Sequence, residues 1–147
     1  MALPPGCSLS FEIRPAGQDC EALNDALGEF NKAFFRDPTY AHFAIFIRGD
    51  AGEIRAGLDA YVYAGWLFVL SLWIHGDLRR RGIGRELIGE AERRAVLLVC
   101  HSAWLDTFSF QAPGFYQKLG YEVFGVLDYP PDHKRYFLQK RLARGEA

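Results

Sequence analysis

The sequence predicts an α/β architecture built on a mixed sheet, and three observations carry that expectation. Short branched and aromatic runs in the first half are separated by tight-turn signals. A nearly continuous apolar run at 65–75 passes through a basic, glycine-bearing turn into an amphipathic helix, and that helix is followed by another strand. With 147 residues, 50% of them hydrophobic, residues 1–147 are expected to form one domain whose core needs no staples.

Residues 8–14 read as a first strand, with Phe11 and Ile13 on one face and Pro15 and Gly17 closing it. A helix is expected over 19–35, where Leu23, Ala26, Leu27, Phe30 and Phe34 recur at three- and four-residue steps as a core-facing stripe, weakened at Gly28. After a break at 36–39, residues 41–48 are aromatic and branched enough for a strand, and Gly49-Asp50-Ala51-Gly52 reads as a hairpin turn. Strands at 53–63 and 65–75, joined at Ala64-Gly65, complete an antiparallel meander. The second lacks alternation, as expected of a strand covered on both faces. Leu87, Ile88, Ala91, Ala95 and Leu98 mark one face of a helix over 85–99. A strand at 103–107, a short helix at 113–119 ended by Gly120, a strand at 121–127, a loop at 129–132 and a last strand at 134–140 follow.

Composition narrows the function classes. Cys7, Cys20 and Cys100 have no paired spacing, so neither a disulfide framework nor a zinc site is suggested, and a reducing, cytoplasmic compartment is expected. His42, His101 and His133 are isolated from other metal-ligating residues. A net charge of −1 argues against a nucleic-acid surface. No run is long and apolar enough for a membrane span, and no secretory leader pattern opens the chain. No serine or cysteine lies in a nucleophile-elbow pattern, so a covalent acyl-enzyme is not suggested.

The densest basic run, Arg79-Arg80-Arg81, stands where the apolar strand gives way to the helix, with Gly82 and Gly84 beside it. A helix N-terminus exposes unpaired N–H groups and the positive end of the macrodipole, and glycines let an anion approach the backbone. The segment therefore reads as a phosphate cradle. Arg79-x-x-Gly82-x-Gly84 resembles the acyl-CoA-binding motif of the GNAT acetyltransferase superfamily. The resemblance implies that Arg79, Arg80, Arg81, Gly82, Ile83, Gly84 and Arg85 hold the pyrophosphate of coenzyme A. It also implies a mostly antiparallel sheet splayed at a central parallel strand pair and flanked by helices. A Walker-type cradle would need lysine and a hydroxyl residue where Arg85-Glu86 stand, and a dinucleotide-binding turn would need glycine at Leu87.

Ala112-Pro113-Gly114-Phe115-Tyr116-Gln117-Lys118-Leu119-Gly120-Tyr121 resembles a second block of the same family. On that resemblance Tyr116 sits near the coenzyme sulfur and acts as general acid for the departing thiolate. Gln111 stands where many members carry an asparagine that contacts the pantetheine arm, so it becomes a candidate cofactor contact despite the change of residue. The backbone of Leu72, Trp73 and Ile74 would hold the acetyl and pantetheine groups, and a preorganised N–H there would contribute about 3 kcal/mol to the oxyanion.

The strand at 65–75 carries no carboxylate where some members place a base. Asp59, Asp106 and His75 are the candidates elsewhere, with a water chain or an already deprotonated substrate as alternatives. Phe30, Phe34, Phe35, Tyr40, Tyr61, Tyr63, Trp66 and Trp104 could line an acceptor site, although most such rings serve as packing. Asp37 and Asp128 could anchor an ammonium group or simply be solvated. The resemblance thus implies an enzyme, an acetyl-CoA-dependent N-acetyltransferase acting on a primary amine, in first place that of a small molecule, by direct attack in a ternary complex. Acetylation of a protein or peptide amine and a non-catalytic acyl-CoA sensor are the alternatives. No metal, nucleic acid or membrane is implied as partner, and a homodimer is left open.

Overall fold

The computed structural model describes residues 2–36 and 38–142. The chain divides into two compact units, Met1–Asp37 and Pro38–Ala147. In the first, helix α1 spans Gly17–Asn31, with Asp19 in its first turn complementing the macrodipole. Gly28 lies inside it and does not end it. The stripe expected to face a core is instead open: Leu23, Leu27, Phe30 and Phe34 are all exposed, and α1 buries none of its residues. One helix with short flanking segments has no second element within its unit against which the stripe could close. Residues 8–14 form no strand. Arg14 takes a left-handed φ of 59°, which interrupts the extended run, and no ladder partner holds it.

The second unit contains a six-stranded sheet in the order β1-β2-β3-β4-β6-β5. Its strands are β1 (Tyr40–Arg48), β2 (Ile54–Tyr63), β3 (Trp66–Ile74), β4 (Ser102–Phe108), β5 (Glu122–Tyr129) and β6 (His133–Arg141); its helices are α2 (Ile83–Leu97) and α3 (Pro113–Lys118). The expected meander is β1-β2-β3. Its second turn places Ala64 and Gly65 at φ 48° and 86°, the left-handed pair that joins two twisted strands through a two-residue loop. Strands β3 and β4 run parallel, which requires a crossover, and α2 supplies it. Every other pairing is antiparallel.

Register sorts the side chains. Ala56, Leu58, Ala60 and Val62 of β2 stand opposite Ile74, Leu72, Val69 and Leu67 of β3, and this row continues into Ala103, Leu105 and Leu138. Leu87, Ile88, Ala91 and Ala95 of α2 close over it, with Tyr116 and Tyr121 joining the same core. Each such large side chain contributes about 1.5–3 kcal/mol through burial. The continuous apolar run of β3 is covered only at its start. Leu67 and Val69 are buried, whereas Leu70, Ser71 and Trp73 are exposed. The change coincides with the place where β4 leaves β3.

Candidate active site

Pairing between β3 and β4 begins at Trp66 with Ser102 and ends at Val69 with Leu105. Beyond that point β4 continues beside β6 as far as Phe108, while β3 stays with β2 as far as Ile74. A bulge at Leu70 starts the separation: Ala60 pairs Val69 but Asp59 pairs Ser71, leaving Leu70 without an opposite residue. His75 donates its N–H to Arg55 at 2.9 Å, so the backbone groups of Trp73 and Ser71 also point to β2. By alternation those of Leu72 and Ile74 point into the gap. Of the three residues expected to offer backbone there, register thus assigns Leu72 and Ile74 to the opening and turns Trp73 away.

The chain then makes a single 3-10 turn, Gly76–Leu78, and enters α2 through Gly82 at φ 78°. Gly82 brings no side-chain cap, and the first N–H returned to it comes from Glu86 at 3.1 Å. The N–H groups of Ile83, Gly84 and Arg85 therefore have no acceptor within the helix. A Cβ on Gly82 would meet nothing within 4 Å, so the backbone is open at that side, and Arg80 and Arg81 are exposed beside it. Free donors, open backbone and positive charge fit a pyrophosphate. Arg79 turns back, its Nε donating to the Ile74 carbonyl at 3.1 Å, and so ties the turn to the strand end. Gly84 serves differently. A Cβ there would lie 3.0 Å from Phe115 Cζ and 3.1 Å from Ile74 Cδ1, so its bareness lets α2 approach both β3 and α3.

Through that contact the second sequence block meets the first. Tyr116, on α3, is 9% exposed and packs edge-on to Phe115 and Tyr121. Its hydroxyl makes no hydrogen bond among the described residues, yet it is not among the sealed, unpartnered side-chain atoms, of which Arg55 Nε is the sole described case. It therefore opens to solvent. Burial, with the negative charge of Asp106 second, pushes its pKa up to about 12, which keeps the phenol protonated as a donor. Tyr121 is structural: it donates to Glu92 at 3.0 Å, and Lys140 reaches the same carboxylate at 2.9 Å. Gln111 accepts at Oε1 from the Phe108 N–H at 2.8 Å and the Thr107 hydroxyl at 3.2 Å, bracing the end of β4 and leaving its amide N–H groups as donors.

The face of the sheet away from α2 carries the other titratable groups. Tyr40 and His42 of β1, Asp59 and Tyr61 of β2, and Ser71 and Trp73 of β3 share it by register. Phe68 stacks on Trp104 of β4 at 3.9 Å. Asp106 accepts from Arg135 at 2.9 Å, and the guanidinium also lies over the rings of Phe108 and Phe137. His75 lies 3.0 Å from Asp77, which itself binds Arg55 at 2.9 Å. His42, isolated in sequence, has a partner: its Nε2 lies 2.5 Å from Asp59 Oδ1. Sequence reasoning missed this pair. The hairpin pairs His42 with Tyr61 and Asp59 with Ala44, so the two are diagonal neighbours on one face, and the register shift between Ile47 and Arg48 that sets this is not legible in the sequence.

Tyr40, Tyr61, Tyr63, Trp66 and Trp104 belong to this second unit. Phe30, Phe34 and Phe35 belong to the first unit, where Phe30 and Phe34 pack on each other at 5.4 Å. Asp128 is exposed and pairs with Lys134 at 2.9 Å, while Asp37 lies outside the described residues. Among the described residues no group of three or more His, Cys, Asp or Glu side chains is placed to hold a metal ion, and no helix is long and apolar enough to cross a membrane.

Residues 39–123 match the family model of the acetyltransferase (GNAT) domain. Over 129 residues the chain is 39% identical to blasticidin-S acetyltransferase of Streptomyces morookaense, covering 83% of this chain and 95% of that protein. A solved structure from Agrobacterium tumefaciens superposes with a TM-score of 0.85 at 26% identity, over 92% of this chain and 99% of the other. An acetyltransferase from Bacillus cereus superposes with a TM-score of 0.77 at 29% identity, over 90% and 98% respectively.

Proposed function

The chain belongs to the GNAT acetyltransferase family, and on that premise we propose that it moves the acetyl group of acetyl-CoA to the primary amine of a small molecule, by direct attack within a ternary complex. The observation that carries the reading is the parting of β3 and β4 after Val69 and Leu105, followed along the chain by the uncapped N-terminus of α2. An acyl thioester with a pyrophosphate tail needs both: donors for the anion and free strand backbone for the arm. Identity to blasticidin-S acetyltransferase supports an amine-bearing antibiotic of that kind as the acceptor. The whole chain, 1–147, would act as one catalytic domain in the cytoplasm.

In this reading the N–H groups of Ile83, Gly84 and Arg85, with Arg80 and Arg81, hold the pyrophosphate, and Arg79 sets the turn against Ile74. Leu72 and Ile74 pair their backbones with the arm, and the Leu72 N–H is directed at the oxygen on which charge develops. The amide of Gln111 is within the same strand-end region and supplies a further donor. Tyr116 gives its hydroxyl proton to the sulfur as the C–S bond breaks, a role its raised pKa suits because the donor stays loaded at neutral pH.

The test is release of free coenzyme A from acetyl-CoA in the presence of blasticidin-S and a panel of small amines and peptides. Saturable release with a small amine is expected. Tight acetyl-CoA binding with no release on any amine would make the chain a sensor instead, and failure of acetyl-CoA to raise Tm at concentrations well above micromolar would overturn both readings.

A further inference from the structure

Asp59, His75 and Asp106 are the charged or titratable candidates near the parting of β3 and β4, and register separates them. Asp59 is on β2, so β3 stands between it and the gap. His75 lies past the end of β3 and is turned to Asp77 at 3.0 Å. Of the three, Asp106 alone is on a strand that lines the gap. Strands β3 and β4 pair for the last time at Val69 and Leu105, and Asp106 is the next residue of β4. On its other side β4 stays paired with β6, where Asp106 stands opposite Phe137.

The alternation of β4 fixes which way the carboxylate points. Leu105 and Thr107 are buried, whereas Trp104, Asp106 and Phe108 are half-buried on the face away from α2. Trp104 stacks on Phe68 at 3.9 Å and Phe108 on Phe110 at 5.3 Å, so aromatic rings border Asp106 on both sides along its strand. Within that frame its side chain is 19% exposed. Arg135 approaches Oδ1 alone, through Nε at 2.9 Å and Nη2 at 2.8 Å. The guanidinium is itself fixed, donating to the Tyr129 hydroxyl at 3.3 Å and lying over the rings of Phe108 and Phe137. Oδ2 has no hydrogen bond among the described residues and is not sealed from solvent, so its lone pairs are open. The negative charge of Asp106 also reaches Tyr116, where it adds to burial in raising the phenol's pKa. Carboxylate and phenol therefore border the same opening.

Building on the acetyl-transfer reading, we propose that Asp106 binds the acceptor amine through Oδ2 and so selects acceptors that are cationic at neutral pH. An ionised carboxylate only accepts hydrogen bonds, and an alkylammonium presents N–H donors with the matching charge. Such charge-assisted bonds are about twice as strong as neutral ones. The ring frame thins the competing water around the carboxylate and adds faces and edges that suit a cation with an apolar body. Arg135 holds Oδ1 and leaves the same oxygen free in every encounter. A neutral amine of equal shape keeps the hydrogen bond but loses the charge. Asp106 acts in binding and orientation, and no proton transfer is assigned to it.

The test uses the full chain and two acceptors: the alkylamine turned over best in the coenzyme A release assay, and its β-difluorinated analogue, of similar shape but neutral in the assay. The unaltered protein should show a KM about tenfold or more lower for the cationic amine. Asp106→Asn keeps an oxygen for Arg135 and loses the charge. It should raise KM for the cationic amine by about tenfold or more, leave KM for the neutral analogue and for acetyl-CoA nearly unchanged, and so abolish the preference. A role confined to holding Arg135 would instead move both amines together. Equal KM values for the two amines in the unaltered protein, a preference that survives Asp106→Asn, or an equal loss on both amines would overturn the proposal while leaving the acetyl-transfer reading intact. The first of these measurements needs no variant, so it decides even if Asp106→Asn fails to fold. Absence of turnover by the unaltered protein on every amine would overturn both.

Discussion

The two faces of the sheet are built from the same strands and differ in almost everything else. Under α2, Ala56, Ala60, Leu67, Ala103 and Leu138 have no exposure at all. On the opposite face His42, Asp59, Ser71 and Trp73 alternate with those same core positions and remain open. A two-residue period lets one strand serve both ends: one residue is buried and the next stays accessible. Neighbouring positions of one strand therefore allow the buried and the accessible face to be altered separately. Tyr116 is the exception, because it is packed into the core yet its hydroxyl opens to solvent.

The largest effect should come from breaking the closed face. Leu138→Ala removes a fully buried side chain and should cost about 2–5 kcal/mol, lowering Tm by roughly 5–15 °C. The kcat of the folded fraction at low temperature should be little changed. A large loss of kcat at full folding would break the separation of the faces. Next, Tyr116→Phe should reduce kcat by about a hundredfold while Tm moves little.

The same tyrosine gives a pH prediction. Its folded pKa of about 12 lies above the unfolded value of about 10. The stability contributed by this difference is therefore complete below about pH 10 and lost as pH rises towards about 12. Alkaline unfolding followed by circular dichroism should be steeper in the unaltered protein than in Tyr116→Phe across that window. Activity should not decline through loss of this donor while pH stays below about 10.

The two glycines of the turn sharpen the comparison at smaller scale. Gly84→Ala presses a methyl against Phe115 and Ile74 and should cost about 1–3 kcal/mol through overpacking. Gly82→Ala has open space but a φ of 78°, and should cost about 1–2 kcal/mol through backbone strain. Both should raise KM for acetyl-CoA, the first through a shifted helix and the second through a distorted turn. Smallest of all, Asp128→Asn breaks only the exposed pair with Lys134 and should leave Tm and kcat unchanged; altered activity would place that residue in the acceptor site.

Local chemistry was enough to read most elements from the residues. The Ala64-Gly65 and 49–52 turns, the apolar stripe of α2 and the start of α3 at Pro113 each declare themselves within a few positions, and the observed bounds differ from the expected ones by only a residue or two at most ends. The turn at Arg79 to Gly84 and the block around Tyr116 were likewise legible, because each is a contiguous pattern. The failures were of another kind. Residues 8–14 have strand-like alternation but no ladder partner, and the stripe of α1 has the period of a buried face without burial. Periodicity reports which residues could be covered; it does not supply the cover.

What the sequence determined by itself was the α/β order of elements, the glycine-bearing basic turn and the family to which both belong. Tertiary structure decided which atoms of those elements are free. Register alone settles that Leu72 and Ile74 face the gap while Trp73 pairs with Gly57, that Gly84 is bare for packing whereas Gly82 is bare for its turn, and that His42 meets Asp59 across the sheet. Those facts depend on a bulge at Leu70 and on the crossing of chain segments distant in sequence, and a two-residue repeat has no means of recording either.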